Sequence, residues 1–159
     1  MAEDNTQAQS NENQPEFAIL RVYLKDVSFE TPNSPQIFKD DWNPEISMQL
    51  GSKVDPLEEE DLYEVALSVT VTAKQGDKTG FLAEVEQAGI FTLKGFDKAQ
   101  LGNMLGAYCP NVLYPFAREA ISDLVVKGGF PQVLLAPINF DSLHAQRVME
   151  SAGQAAGSA

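Results

Sequence analysis

The most regular stretch of the chain is "LYEVALSVTVTAK", residues 62–74, where Tyr63, Val65, Leu67, Val69, Val71 and Ala73 alternate with Glu64, Ser68, Thr70, Thr72 and Lys74. A period of two sustained over that length predicts a strand with one buried face. "QGDK" (75–78) supplies Gly76 and Asp77 and leads directly into "TGFLAEVEQAGIFTL" (79–93), so the two runs predict an antiparallel hairpin. On the second strand Leu82, Glu84 and Glu86 point one way while Phe81, Ala83 and Val85 point the other. Upstream, "FAILRVYLKDVSF" (17–29) is rich in β-branched, aromatic and leucine residues and predicts a further strand. It runs into "ETPNSPQIF" (30–38), whose two prolines predict an irregular loop. "EISMQL" (45–50) alternates again, and "GSKVDPLEEED" (51–61) is expected to break the chain.

After Gly95 the period changes. "FDKAQLGNMLGAYC" (96–109) fits a short helix starting near Asp97, with Leu101, Met104 and Leu105 at helical spacing. In "PNVLYPFAREAISDLVVKGGF" (110–130), Leu113, Ala117, Ala120, Ile121 and Leu124 form an apolar stripe. Asn111 is available as a cap, Pro115 falls early enough to be tolerated, and Gly128 with Gly129 ends the segment. A last helix is expected from Asp141 to about Met149. Strands first and helices after predict an α+β fold, with helices on one face or end of an antiparallel sheet. The Asn-, Gln- and acid-rich residues 1–16 and the small, uncharged "SAGQAAGSA" (151–159) are expected to be disordered tails around a folded unit of residues 17–150.

Charge narrows the function. There are 23 acidic and 11 basic side chains, a net charge of −12. Such a field repels phosphate backbones and anionic lipid and favours basic partners, so nucleic acid is not an expected ligand. No apolar run approaches the roughly 20 residues that span a bilayer, and the first residues lack the pattern of a secretory signal. With a single cysteine, no internal disulfide is available and a reducing, cytoplasmic location is expected.

Catalytic motifs fail on inspection. Cys109, near an expected helix start, would need a base, and His144 is the only histidine. Its neighbours Tyr108, Pro110, Val112 and Leu113 are apolar and would raise the thiol pKa, so Cys109 is expected to be a packed residue. A thiol-dependent hydrolase using Cys109 and His144 stands as the alternative from another class, and a small-molecule carrier as a third. One Cys and one His cannot supply the usual zinc ligands. "KDDW" and "LEEED" lack the spacing of a calcium loop, and "GDKTG" lacks both the spacing and the following helix of a phosphate loop. No metal or cofactor is expected. The remaining features are surfaces: an acidic strand face bearing Asp26, Glu30, Leu82, Glu84 and Glu86, either an ordinary charged sheet face or one suited to a basic partner with an apolar anchor, and a Pro-containing loop carrying Phe29, Ile37, Phe38 and Trp42, which either covers the core or lines a groove.

Beyond those features, "YLKDVSFETPNSPQIFKDDWNPE", "DLYEVALSVTVTA", "FLAEVEQAGIFTL", "LGAYCPNVLYPFARE" (105–119) and "GGFPQVLLAPINFDSL" together resemble the SecB family of bacterial protein-export chaperones. The resemblance implies a four-stranded antiparallel sheet with C-terminal helices packed on one face, assembled as a homotetramer, a dimer of dimers. It implies an ATP-independent holdase that keeps secretory precursors unfolded in the cytoplasm and delivers them to the translocation ATPase SecA. Carried over by position, the SecA contacts would be Asp26, Glu30, Leu82 and Glu84; the client groove would include Phe29, Trp42, Ile46 and Met48; and Ala83, Val85 and Gln87 would bear on subunit assembly. SecB-like chaperones also serve toxin–antitoxin systems, a second role compatible with the resemblance. The C-terminal tail "SAGQAAGSA" departs from the family pattern in lacking the charged residues that would make a secondary SecA contact.

Overall fold

In the computed structural model, residues 14–157 are described. Four strands, β1 (Glu16–Glu30), β2 (Glu45–Pro56), β3 (Leu62–Gln75) and β4 (Lys78–Lys94), form one antiparallel sheet in the order β1-β4-β3-β2. The expected β3–β4 hairpin is present, turned at Gly76, whose φ of +61° is the left-handed conformation that favours glycine. β2 continues to Pro56 instead of breaking after Leu50. A proline ends an edge strand without cost to the sheet, since no further strand awaits its missing N–H.

β1 departs furthest from a regular strand. Its pairing with β4 shifts between Ile19 and Arg21 and again between Leu24 and Asp26. Each extra residue reverses the faces of everything after it. The apolar positions therefore change parity along the strand, with Phe17 and Ile19, then Val22 and Leu24, then Val27 and Phe29 meeting the helix-facing residues of β4. Without the second bulge Asp26 would turn inward and Val27 outward.

Helix α1 (Lys98–Asn103) starts in a capping box, with Asp97 accepting from the Gln100 N–H and Gln100 accepting from the Asp97 N–H. It does not stop before the next helix. A wide π turn (Met104–Tyr108) joins it to α2 (Cys109–Lys127). The Cys109 N–H reaches back to the Met104 carbonyl across this turn, just before Pro110, which has no N–H to continue the α pattern. Asn111 consequently lies inside the helix and caps nothing. The last helix, α3 (Phe140–Gly157), outruns both its expected end near Met149 and the start of the expected tail at residue 151. The Ala and Gln content of "SAGQAAG" has high helix propensity and only Gly153 opposes it internally. Of the expected tails, residues 1–13 and 158–159 lie outside the described residues.

α2 packs on β3 and β4. Leu113, Ala117, Ile121 and Val125 meet Val65, Val69, Val71, Phe81, Ala83, Val85 and Phe91, all with essentially no exposed surface. Each large side chain of this kind contributes about 1.5–3 kcal/mol relative to exposure. The helix does not reach the sheet edges. On its own side of the sheet Ile19, Leu24 and Val27 of β1 and Ile46 of β2 remain 47%, 46%, 40% and 42% exposed. No helix of the described residues is long and apolar enough to cross a membrane.

Candidate functional site

The face of the sheet turned away from α2 is polar. In successive cross-strand rows, Asp26 opposes Glu86 and then Ser68; Ser28 opposes Glu84, Thr70 and Gln49; Glu30 opposes Leu82, Thr72 and Ser47. Directly opposed residues share a face, so Asp26, Glu30, Leu82 and Glu84 are gathered on one surface, with Glu86 a fifth member. Leu82 is half-buried and is the only large apolar side chain in these three rows. Among the described residues none of the four carboxylates makes an ion pair. Their charge is therefore available to a cationic partner around a single apolar anchor.

The β1 bulge builds this surface. It lets Asp26 and Glu30 face outward while Val27 and Phe29 face the core. Three hydrogen bonds converge on it: the Gln87 amide donates to the Tyr23 carbonyl at 3.0 Å, Lys25 donates to Glu64 at 2.6 Å, and the Tyr23 hydroxyl donates to the other Glu64 oxygen. The two donors hold the Glu64 carboxyl below its usual range, Lys25 contributing more than Tyr23. Burial, reinforced by the Glu64 hydrogen bond, pushes the Tyr23 phenol up to about 12. Sequence alone did not single out Glu64, Lys25 or Tyr23. The one trace is the change of apolar parity within "FAILRVYLKDVSF".

On the opposite face, the end of the sheet nearest Trp42 carries the residues expected at a client groove. Phe29, Ala83, Val71 and Met48 form one cross-strand row, and Phe81, Ala73 and Ile46 form the next. Trp42 stands over Gly80, where a Cβ would lie 2.6 Å from its indole ring. Its ring lies 6.4 Å from that of Phe81 and 4.9 Å from that of Phe130, while Phe81 also packs against Phe29 at 6.0 Å and Phe130 against Phe38 at 5.0 Å. Such pairs prefer offset or tilted contact and add to simple burial. Phe29, Trp42, Ile46 and Met48 thus share one end of one face, and Phe38, Phe81 and Phe130 complete the wall. Phe130 follows the Gly128–Gly129 stop. Gly129 adopts φ +88°, and a side chain at Gly128 would run into the Phe29 ring.

Ala83 and Val85 have no exposed surface and lie under α2, and Gln87 is buried on the same face. They offer no contact area of their own, so an influence on assembly would pass through the helix-on-sheet packing or, for Gln87, through the bulge.

Cys109 is buried, and desolvation pushes its thiol up to about 12, which leaves almost no thiolate at neutral pH. His144 packs over Gly106, where an added Cβ would collide with its ring, and makes no hydrogen bond to Cys109. The hydrolase alternative has neither an activated nucleophile nor an engaged base. Among the described residues, no three His, Cys, Asp or Glu side chains converge to hold a metal ion.

Comparison with known proteins follows the same lines. Residues 10–151 match the family described as "Preprotein translocase subunit SecB". The chain is 55% identical to the "Protein-export protein SecB" of Nitrosococcus oceani, over 100% of this chain and 98% of the relative. It is also 55% identical to the protein of the same description from Methylococcus capsulatus, over 98% and 96% respectively. Among solved structures, the Mycobacterium tuberculosis SecB-like chaperone in complex with a ChAD peptide from the HigA1 antitoxin has the same fold: TM-score 0.63, 16% identity, 77% of this chain and 90% of that one covered. The sheet order, the helix layer and the near full-length identity agree, and this chain belongs to the SecB family of protein-export chaperones.

Proposed function

We propose that this protein is a nucleotide-independent holdase that binds unfolded secretory precursors in the cytoplasm, as a homotetramer, and passes them to SecA. The observation that carries this reading is the separation of two different surfaces on opposite faces of one sheet. An acidic face with one leucine suits a folded, basic partner, whereas the aromatic cluster around Trp42, with Phe38 and Ile46 partly exposed beside it, suits extended apolar chain segments. Separate faces let client and partner be held together, so transfer needs no hydrolysis by this protein.

The net charge of −12 adds steering, since basic stretches of a precursor are drawn in before apolar contact is made. Apolar edges left uncovered on β1 and β2 support assembly of several subunits, and repeated grooves then give avidity to individually weak contacts. That the related mycobacterial chaperone carries a peptide is in keeping with a polypeptide client. Export takes precedence over a toxin–antitoxin role because the relatives at 55% identity are protein-export proteins, while the antitoxin-bound one is 16% identical.

The acidic face is tested by Asp26→Ala and Glu84→Ala. Each is expected to weaken SecA binding several-fold with client capture retained, consistent with about 1–2 kcal/mol for a charge contact of this kind. Unchanged SecA affinity in both variants would remove the assignment.

A further inference from the structure

Lys25 is the cation adjoining Asp26 on the acidic face, and it sits at the bulge between the residue pairs Leu24–Gln87 and Asp26–Glu86. Its chain neighbour is Asp26, and the nearby carboxylates of Glu86 and Asp55 both act on its ammonium group. An exposed lysine in that position would ordinarily be drawn to Asp26 or Glu86. Instead its Nζ lies 2.6 Å from Glu64, which is also fixed by the Tyr23 hydroxyl and lies two cross-strand rows from Glu86.

We propose that Glu64 is a positioning residue of the docking face: it holds the Lys25 ammonium on the Tyr23 side of the β1 bulge and so keeps Asp26 and Glu86 free of an intramolecular counter-ion. This rests on reading the acidic face as the SecA site. Glu64 itself need not touch the partner. The hydrogen bond from Lys25 is the largest influence on Glu64, and that to Glu64 is the largest on Lys25, which marks the two as a pair. Tyr23 aligns the carboxylate from the second side, lowering the cost of ordering a long lysine side chain.

The proposal differs from a general effect of charge in one measurable respect. Glu64→Gln changes the net charge by one whether or not Lys25 is present, so a long-range effect on partner affinity would be equal in the Lys25 and Lys25→Gln backgrounds. Release of Lys25 toward Asp26 and Glu86 adds a loss only where Lys25 remains.

The test is SecA titration against the full-length protein and the variants Glu64→Gln, Lys25→Gln, the double variant and Glu84→Ala, with client capture and thermal midpoint recorded for each. Glu64→Gln is expected to weaken SecA binding about tenfold in the natural background but only about twofold beside Lys25→Gln. Client capture should be unchanged. Tyr23→Phe, which removes a Glu64 partner without altering charge, is expected to move SecA affinity less than Glu64→Gln. Equal losses in the two backgrounds, with Glu84→Ala still harmful, would overturn the role of Glu64 alone. A harmless Glu84→Ala would instead overturn the docking face. A Glu64→Gln loss of SecA affinity accompanied by an equal loss of client capture would assign Glu64 to fold stability and overturn the proposal.

Discussion

Gly80→Ala tests the aromatic wall through a single methyl group. The new Cβ would lie 2.6 Å from Cη2 and 2.8 Å from Cζ3 of Trp42. Carbon atoms rest at about 3.5–4.0 Å, so the indole has to withdraw by roughly 1 Å or swing away. Its contacts with Phe81 and Phe130 weaken together. Two aromatic pairs at about 0.5–1.5 kcal/mol each amount to about 1–3 kcal/mol. Replacing glycine by alanine restrains the unfolded chain and offsets about 0.4–1 kcal/mol of this. The expected net loss is up to about 2.6 kcal/mol, which for a domain of this size lowers the thermal midpoint by up to about 10 °C. Because Trp42 is the only tryptophan, its emission reports on this site alone. It should shift to the red in Gly80→Ala, and capture of an unfolded client should fall several-fold with SecA affinity unchanged. A raised midpoint with unshifted emission and full capture would refute the reasoning, since it would mean that the ring does not stand over Gly80.

Cys109 in the folded protein should resist iodoacetamide at pH 8, reacting at the rate of global or local opening, and Cys109→Ser should retain holdase activity; rapid alkylation of the native protein would contradict its burial. Its thiol pKa is raised on folding, so the corresponding stability is present below about pH 9 and is lost as pH rises toward 12, which denaturant midpoints across that window can follow. Gly106→Ala should loosen α3 first, because the added methyl displaces the His144 ring. Hydrogen exchange should then quicken in residues 140–154 before the sheet, and unchanged protection there would contradict the packing.

The β3–β4 hairpin was legible because a period of two persists across it and Gly76 supplies the turn. The helix layer was legible from the stripe of Leu113, Ala117 and Ile121, although its fully buried edge falls on Val125, with Ala120 and Leu124 only half-buried. The boundaries were harder. Cys109–Pro110 looked like a helix start because a proline favours the first turn, yet the π turn before it absorbs the missing hydrogen bond and keeps the helix continuous. A segment of alanine, glycine and serine looked like a tail because it has nothing to bury, whereas propensity carried the helix to Gly157.

The acidic face was legible on β4, where Leu82, Glu84 and Glu86 alternate cleanly. Its other half depends on the β1 bulge, and the hydrogen bonds that fix the bulge join residues 39 to 64 positions apart. Such contacts leave no local periodicity to read. The aromatic cluster was legible as a set of large apolar residues around the Pro-containing loop, but not its packing, because Phe81, Phe130 and Trp42 meet only after the loop folds over Gly80.

Holdase function requires the protein to retain unfolded chain without nucleotide. The direct measurement is the refolding of a slow-folding secretory precursor, diluted from denaturant into increasing amounts of this protein in nucleotide-free buffer. Refolding should be arrested as the assembly reaches stoichiometry with the precursor, and should resume when SecA is added. Refolding at the uncatalysed rate in excess protein would contradict the account.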